Sequence, residues 1–392
     1  MGIPGIGSPL QNLIVLLGAF GMLLLGAEIF TNGVEWLGNR LGVSEGATGS
    51  ILAAVGTALP ETMIPVIAIL SAVLGGGSQA AADEVGVGAI LGAPFMLATI
   101  GMFLLGASTL YFRNRREYGT NFHFKVQSTK RDISFFLVGY TLAFLAAIIH
   151  NELVSIAIGI TLVLLYAIYL YRTLTSGELA DEEEMEDLLL GKVVDGALST
   201  GGSSDTVPDG GAQNLRGDPP LWLVLVQAAI ALGIIIGGAH LFVGEVSYFA
   251  TEVLGMPTAV LALLLAPLAT ELPEKFNSVI WISRDKDTLA IGNMTGAMAF
   301  QGTLPVTLGV LFTSWNLSLQ WGTTGFLNGF SAILAIISGV ILYARARNID
   351  TGQNEATMSP YPFLLVGSFY ALFAGILLYH VLVLGVSATG GH

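Results

Sequence analysis

Residues 42–62 read GVSEGATGSILAAVGTALPET, and residues 255–275 read GMPTAVLALLLAPLATELPEK. The two stretches align without a gap at an offset of 213, and both carry Leu-Pro-Glu near their ends, at Glu61 and Glu274. The likeness extends outward. GAEIF (26–30) matches GAHLF (238–242), and VGAILGAPFML (87–97) matches IGNMTGAMAFQ (291–301). The chain is therefore an internal duplication, and its repeats sit in long apolar runs.

Composition says where such runs belong. The chain has 392 residues, of which 53% are hydrophobic and only 11% charged, and its mean hydropathy is +0.74. A chain this apolar is expected to be an all-α polytopic membrane protein. Crossing a ~30 Å hydrocarbon core takes about 20 apolar residues per helix. Ten stretches qualify: 11–37, 46–74, 86–111, 133–150, 153–171, 221–243, 257–282, 288–313, 324–344 and 362–386. The N-terminus lacks the positive flank of a signal peptide and is expected to run into the first transmembrane helix.

Charge placement orients these spans. Apart from Lys275, every Lys and Arg falls in or beside loops 1–2, 3–4, 5–6, 7–8 or 9–10, which ten spans put on one side. The positive-inside rule makes that side cytoplasmic and both termini external. Each repeat then holds five spans, and an odd number inverts the second repeat relative to the first. Residues 1–172 form the first five-helix repeat and 221–392 the second. Between them, 173–220 reads as a flexible acidic linker, because its Gly, Ser, Asp and Pro content disfavours a packed core. It carries much of the net charge of −13. Inverted repeats are the plan of secondary transporters, whose substrates bind near the midplane where the repeats meet.

The chemistry is then expected at Glu61 and Glu274. A charged group at the bilayer centre costs ~2.5 kcal/mol or more on insertion scales. A lone glutamate is readily explained by a structural partner, but two in equivalent places after Leu-Pro point to a site. Proline withholds a backbone donor and frees carbonyl oxygens nearby. With Thr57 and Thr270 alongside, inversion gathers two carboxylates and neutral oxygens, a set suited to a hard cation such as Ca²⁺ or Na⁺. Glu28 aligns with His240 and is expected at an interface rather than in the site. Asp83 and Glu84 belong to an outward loop. GAILG and GNMTG are small-xxx-small patterns expected to serve close helix packing. Lys275 has two readings: it neutralises a nearby carboxylate, or it points away from the site.

Other classes fit poorly. There are no cysteines, which excludes disulfides and thiolate metal sites. The five histidines lack metal-ligand spacing, no basic stripe suggests nucleic acid, and no nucleophile–base pair suggests an enzyme. No resident cofactor is expected, and the partners are inorganic cations and the lipid bilayer.

At GTALPE (56–61) and GNMTG (292–296) the sequence resembles the cation/calcium exchanger superfamily, which carries Gly-Thr-Ser-x-Pro-Glu in both repeats. The resemblance covers nearly the whole chain in topology. It implies a Ca²⁺ antiporter driven by Na⁺ or H⁺ through alternating access, in a prokaryotic plasma membrane. It also implies that Glu61 and Glu274 are the central carboxylates and that Thr57 and Thr270 add oxygens. The motif serine is replaced by Ala58 in one repeat and Glu271 in the other. Further ligand positions fall on Ala93 and Leu97, which lack side-chain oxygen, and on Ala297 and Gln301. Thr57, Glu61, Thr270, Glu271, Glu274 and Gln301 are the expected cation-binding residues. A passive channel or a non-transporting cation sensor are the alternatives.

Overall fold

The computed structural model describes residues 9–44, 47–58, 79–149, 151–175, 187–200, 219–248, 253, 271–313, 315, 317, 320–350, 352 and 354–384. Among the described residues, eight stretches are long and apolar enough to cross a membrane: Leu10–Arg40, Ile90–Phe112, Val126–Ile149, Glu152–Thr175, Leu221–Gly238, Asp287–Phe312, Gly325–Ile349 and Tyr361–Leu382. The remaining two expected spans, 46–74 and 257–282, lie mostly outside the described residues.

The first half contains α1 (Pro9–Arg40) and a π-helical turn, Thr48–Ala53, leading into the short α2 (Ala54–Thr57). α3 (Gln79–Met96) and α4 (Met102–Phe112) form one rod joined by a second π-helical turn, Leu97–Gly101. Pro94 lies three residues before that turn. It supplies no N–H to the helical ladder, so a locally wider turn is physically sensible there. A short strand β1 (Phe122–Lys125) precedes α5 (Val126–Ile149) and α6 (Glu152–Thr175). Within the 173–220 segment, α7 (Leu189–Thr200) is helical.

The second half contains α8 (Leu221–Tyr248), α9 (Leu272–Ser283), α10 (Asp287–Gln301) and α11 (Leu304–Phe312). It ends with α12 (Thr324–Ile349), the strand β2 (Glu355–Met358) and α13 (Tyr361–Leu382). Prolines stand in the first turns of α9, α11 and α13, where a missing N–H costs nothing.

α1 and α8, the equivalent first helices of the two halves, pack closely and antiparallel. A methyl added to Gly26 would lie 2.8 Å from Ile235, and one on Gly238 would lie 3.1 Å from Met22. Gly33 faces Ala228 in the same way, at 3.5 Å. Numbers rise along one helix as they fall along the other. The outer surface keeps large apolar side chains exposed, including Ile14 and Leu25 of α1, Ile160 and Leu164 of α6, and Leu365 and Leu372 of α13. Apolar faces turned outward on membrane-length helices belong against lipid.

At one end of the bundle the connecting segments meet. β1 pairs antiparallel with β2, placing Phe122 opposite Met358 and Lys125 opposite Glu355. Arg116, with its side chain fully buried, makes a two-pronged pair with Asp287 at 2.7 Å on each oxygen. Its other donors reach the carbonyls of Ile282, Asn121 and Gly119, so all five N–H groups are used. Arg284 pairs with Glu28, and Lys286 with Glu35, each at 2.7 Å. Glu28 is thus a part-exposed partner of a loop arginine.

The helix α7 is anchored at that same end. Asn32 of α1 accepts from the backbone N–H of Leu189, and Gln227 of α8 accepts from that of Leu190. Leu188 is buried with Trp36, Leu223 and Val224. The segments that follow α4, α6, α9 and α12 thus each touch a neighbouring element at one end.

Candidate cation site

α9 starts where the repeat motif places a break. Glu271 is the residue before its first turn, Pro273 stands within that turn, and Glu274 follows it. Glu61 and Thr270 lie outside the described residues, and Thr57 closes α2. Ala58 follows as its cap and is buried.

Lys275 turns inward. Its ammonium donates to Glu271 Oε2 at 2.7 Å and also approaches the Glu271 carbonyl at 3.4 Å. The two side chains are 2% and 0% exposed. Of the two readings open from sequence, the structure selects the neutralising one, with Glu271 as the partner. The second oxygen, Oε1, is buried without a hydrogen-bond partner among the described residues. An ionised carboxylate has room for several donors, so Oε1 is an available ligand oxygen.

Gln301 ends α10 and is buried, and neither its amide oxygen nor its nitrogen has a partner among the described residues. Buried amides without partners are uncommon and call for a ligand or water. Ala93, Leu97 and Ala297 are buried and carry no side-chain oxygen.

The glycines of GNMTG serve packing. A methyl on Gly296 would lie 2.2 Å from the Ser50 carbonyl oxygen, and one on Gly292 would lie 3.3 Å from the Ser50 nitrogen. α10 therefore runs backbone to backbone against the π-helical turn Thr48–Ala53. Asn293 donates to Ser278, and Ser278 to the Ala290 carbonyl, tying α10 to α9.

Sequence reasoning misses one buried group. Asp132 is fully buried and accepts from Ser50 at 2.5 Å, from Thr295 at 2.8 Å and from Tyr169 at 3.2 Å. Arg131 lies beside it, with Nε 3.5 Å from Oδ1. This carboxylate joins the π-helical turn to α5, α6 and α10. Its position after Lys130 and Arg131 makes it look like the end of a polar loop. Because α5 begins at Val126, Asp132 in fact lies inside the helix.

The profile of the family described as sodium/calcium exchanger protein matches residues 11–175 and 223–379. Among solved structures, the chain is similar to the sodium-calcium exchanger NCX_Mj soaked with 2.5 mM Na⁺ and 0.1 mM Ca²⁺. The TM-score is 0.64 at 18% identity, covering 92% of this chain and 97% of the other. The same exchanger soaked with 10 mM Na⁺ and 10 mM Sr²⁺ gives a TM-score of 0.65 at 19% identity, with 93% and 98% coverage. Soaked with zero Na⁺ and Ca²⁺ it gives 0.61 at 18% identity, with 92% and 97% coverage. No curated protein matches the chain.

Proposed function

Because this chain belongs to the sodium/calcium exchanger family, we propose that it is a secondary-active antiporter. In this reading it exports Ca²⁺ in exchange for Na⁺ or H⁺ by alternating access. The observation that carries the proposal is the family match to two segments flanking the linker. The antiparallel packing of α1 on α8 supports the inverted arrangement of two five-helix repeats. In this reading the ten spans are completed by 46–74 and 257–282, and both termini face outward from a prokaryotic plasma membrane.

Glu61 and Glu274 are proposed as the central carboxylates, with oxygens from Thr57 and Thr270. Glu271 Oε1 and the Gln301 amide are the further candidates, supported by burial without a protein partner. Coupling follows from mutual exclusion. Ca²⁺ and the coupling cations need the same carboxylates, so each displaces the other. Oxygen ligands and paired carboxylates suit hard cations.

The test is Ca²⁺ uptake into proteoliposomes by the Glu61→Gln and Glu274→Gln variants. Each is expected to fall to the level of protein-free vesicles while retaining its fold in detergent. Uptake at the unmodified rate in both variants would overturn the assignment of these carboxylates.

A further inference from the structure

We propose that Asp132 is a positioning residue for cation binding. Through Ser50 and Thr295 it fixes how the π-helical turn Thr48–Ala53 crosses α10, and with it the spacing of the candidate ligands that follow on those two elements. This rests on the reading of Thr57 and Gln301 as ligands.

Three observations carry it. First, a single atom joins the two elements. Asp132 Oδ2 accepts from Ser50 Oγ of the turn at 2.5 Å and from Thr295 Oγ1 of α10 at 2.8 Å. Its other oxygen, Oδ1, and the Ser50 carbonyl each lie 3.2 Å from the Tyr169 hydroxyl, so α6 holds the turn as well. All four residues are buried.

Second, candidate ligands follow on both sides of the crossing. The turn leads into α2, which closes at Thr57, about two helical turns beyond Ser50. α10 ends at Gln301, about two turns beyond Thr295, with its amide buried and without a partner among the described residues. At the crossing the backbones already touch, since a methyl on Gly296 would lie 2.2 Å from the Ser50 carbonyl oxygen. A packed contact of this kind transmits a shift instead of absorbing it. π-helical turns are themselves uncommon and concentrate at functional sites.

Third, the plan of the repeat does not demand these hydroxyl groups. The duplication pairs Ser50 with Leu263 and Thr295 with Leu91. The network therefore belongs to one repeat pairing alone, and a carboxylate inside a membrane-length helix is too costly to keep without a role.

The carboxylate is what makes the tie. Thr295 Oγ1 has a second acceptor on its own helix, the Ile291 carbonyl at 3.0 Å. Without Asp132 its proton turns back to that carbonyl, and α10 loses its bond towards the turn.

The experiment titrates the purified protein in Na⁺-free detergent solution with Ca²⁺ and, separately, with Sr²⁺, well below every thermal midpoint. Ser50→Ala and Thr295→Val each remove one donor, keep the carboxylate and change the side-chain volume little. Each is expected to raise the half-saturating Ca²⁺ concentration by about tenfold, the low end of the cost of losing an outer support of a metal site. Each is also expected to change the ratio of Ca²⁺ to Sr²⁺ affinity. Trp315→Phe is the control. It loses the buried bond from Trp315 Nε1 to the Ala143 carbonyl at 2.9 Å, about three turns further along α5. It is expected to lower the thermal midpoint and to bind both cations as the unmodified protein does.

Unmodified affinities in Ser50→Ala and Thr295→Val overturn the inference and leave the antiporter reading standing; if one of the two does not fold, the other decides. An equal loss of affinity in Trp315→Phe also overturns it, because the effect is then one of general stability. An unmodified protein that binds neither cation overturns the ligand assignment under the proposed function, and the inference with it.

Discussion

Glu271 and Lys275 are one helical turn apart, and their adjacency is legible in the sequence; that they bond each other is not. Pro273 stands between them, so helical spacing could not be assumed there. The structure starts α9 at Leu272, keeps Pro273 in the first turn, and so preserves the i,i+4 contact. Asp132 escapes sequence reading for a different reason. Its polar neighbours mask a helix that has already begun, and its donors come from three remote elements. An Asp132→Asn substitution removes a buried carboxylate that accepts three hydroxyl bonds. We expect it to destabilise the protein by about 3 kcal/mol, read as a fall in the thermal midpoint in detergent. An unchanged midpoint would show that the network contributes nothing. Asp350, just past α12, gives a pH prediction. A hydrogen bond from Lys130 at 2.6 Å, aided by the Gly352 N–H, lowers its pKa below the ordinary 3.8. A lowered folded-state value stabilises above the ordinary value and is lost as pH falls through the folded one. Lys130→Met is therefore expected to lower the thermal midpoint at neutral pH, with the difference from the unmodified protein vanishing in acid as pH falls through the lowered folded-state value. A difference that persists in strong acid contradicts this cause.

At the scale of elements, hydropathy locates the helices well, since it measures the apolar length that lipid requires. It places the sixth span at 221–243 and the ninth at 324–344, against observed helices of Leu221–Tyr248 and Thr324–Ile349. The polar ends of α5 and α12 go unseen because helices project beyond the hydrocarbon layer. The ribbon of β1 and β2 is equally hidden, each strand being four residues long and paired across distant segments. The two π-helical turns have no hydropathy signature. The glycine stripe of α10 is legible as a packing motif, and the structure supplies its partner, the backbone of Ser50. Gly296→Ala forces a methyl to within 2.2 Å of the Ser50 carbonyl oxygen. We expect a loss of about 1–3 kcal/mol, seen as a lower thermal midpoint than that of Gly375→Ala, where a methyl meets nothing within 4 Å. Equal midpoints would mean that α10 and the turn separate freely.

At the scale of the whole molecule, contacts between residues far apart in sequence tie one end of the bundle together. Arg116–Asp287, Arg284–Glu28, Lys130–Asp350 and the β-ribbon join connecting segments and helices there. The anchoring of α7 to α1 and α8 was beyond sequence reading, because Asn32 and Gln227 look like stray polar residues inside apolar helices. Among the expected ligands, the structure describes the surroundings of Glu271 and Gln301, while Glu61 and Thr270 lie outside the described residues. The central claim, that the molecule couples Ca²⁺ movement to an opposing cation gradient, is tested most directly by one measurement. Purified protein in liposomes is given equal Ca²⁺ on both sides, and an outward-directed Na⁺ or H⁺ gradient is then imposed. The account predicts that Ca²⁺ accumulates inside above its external concentration, and that the accumulation collapses when the driving gradient is dissipated. Ca²⁺ that only equilibrates, whatever gradient is imposed, would contradict it and identify a passive pathway instead.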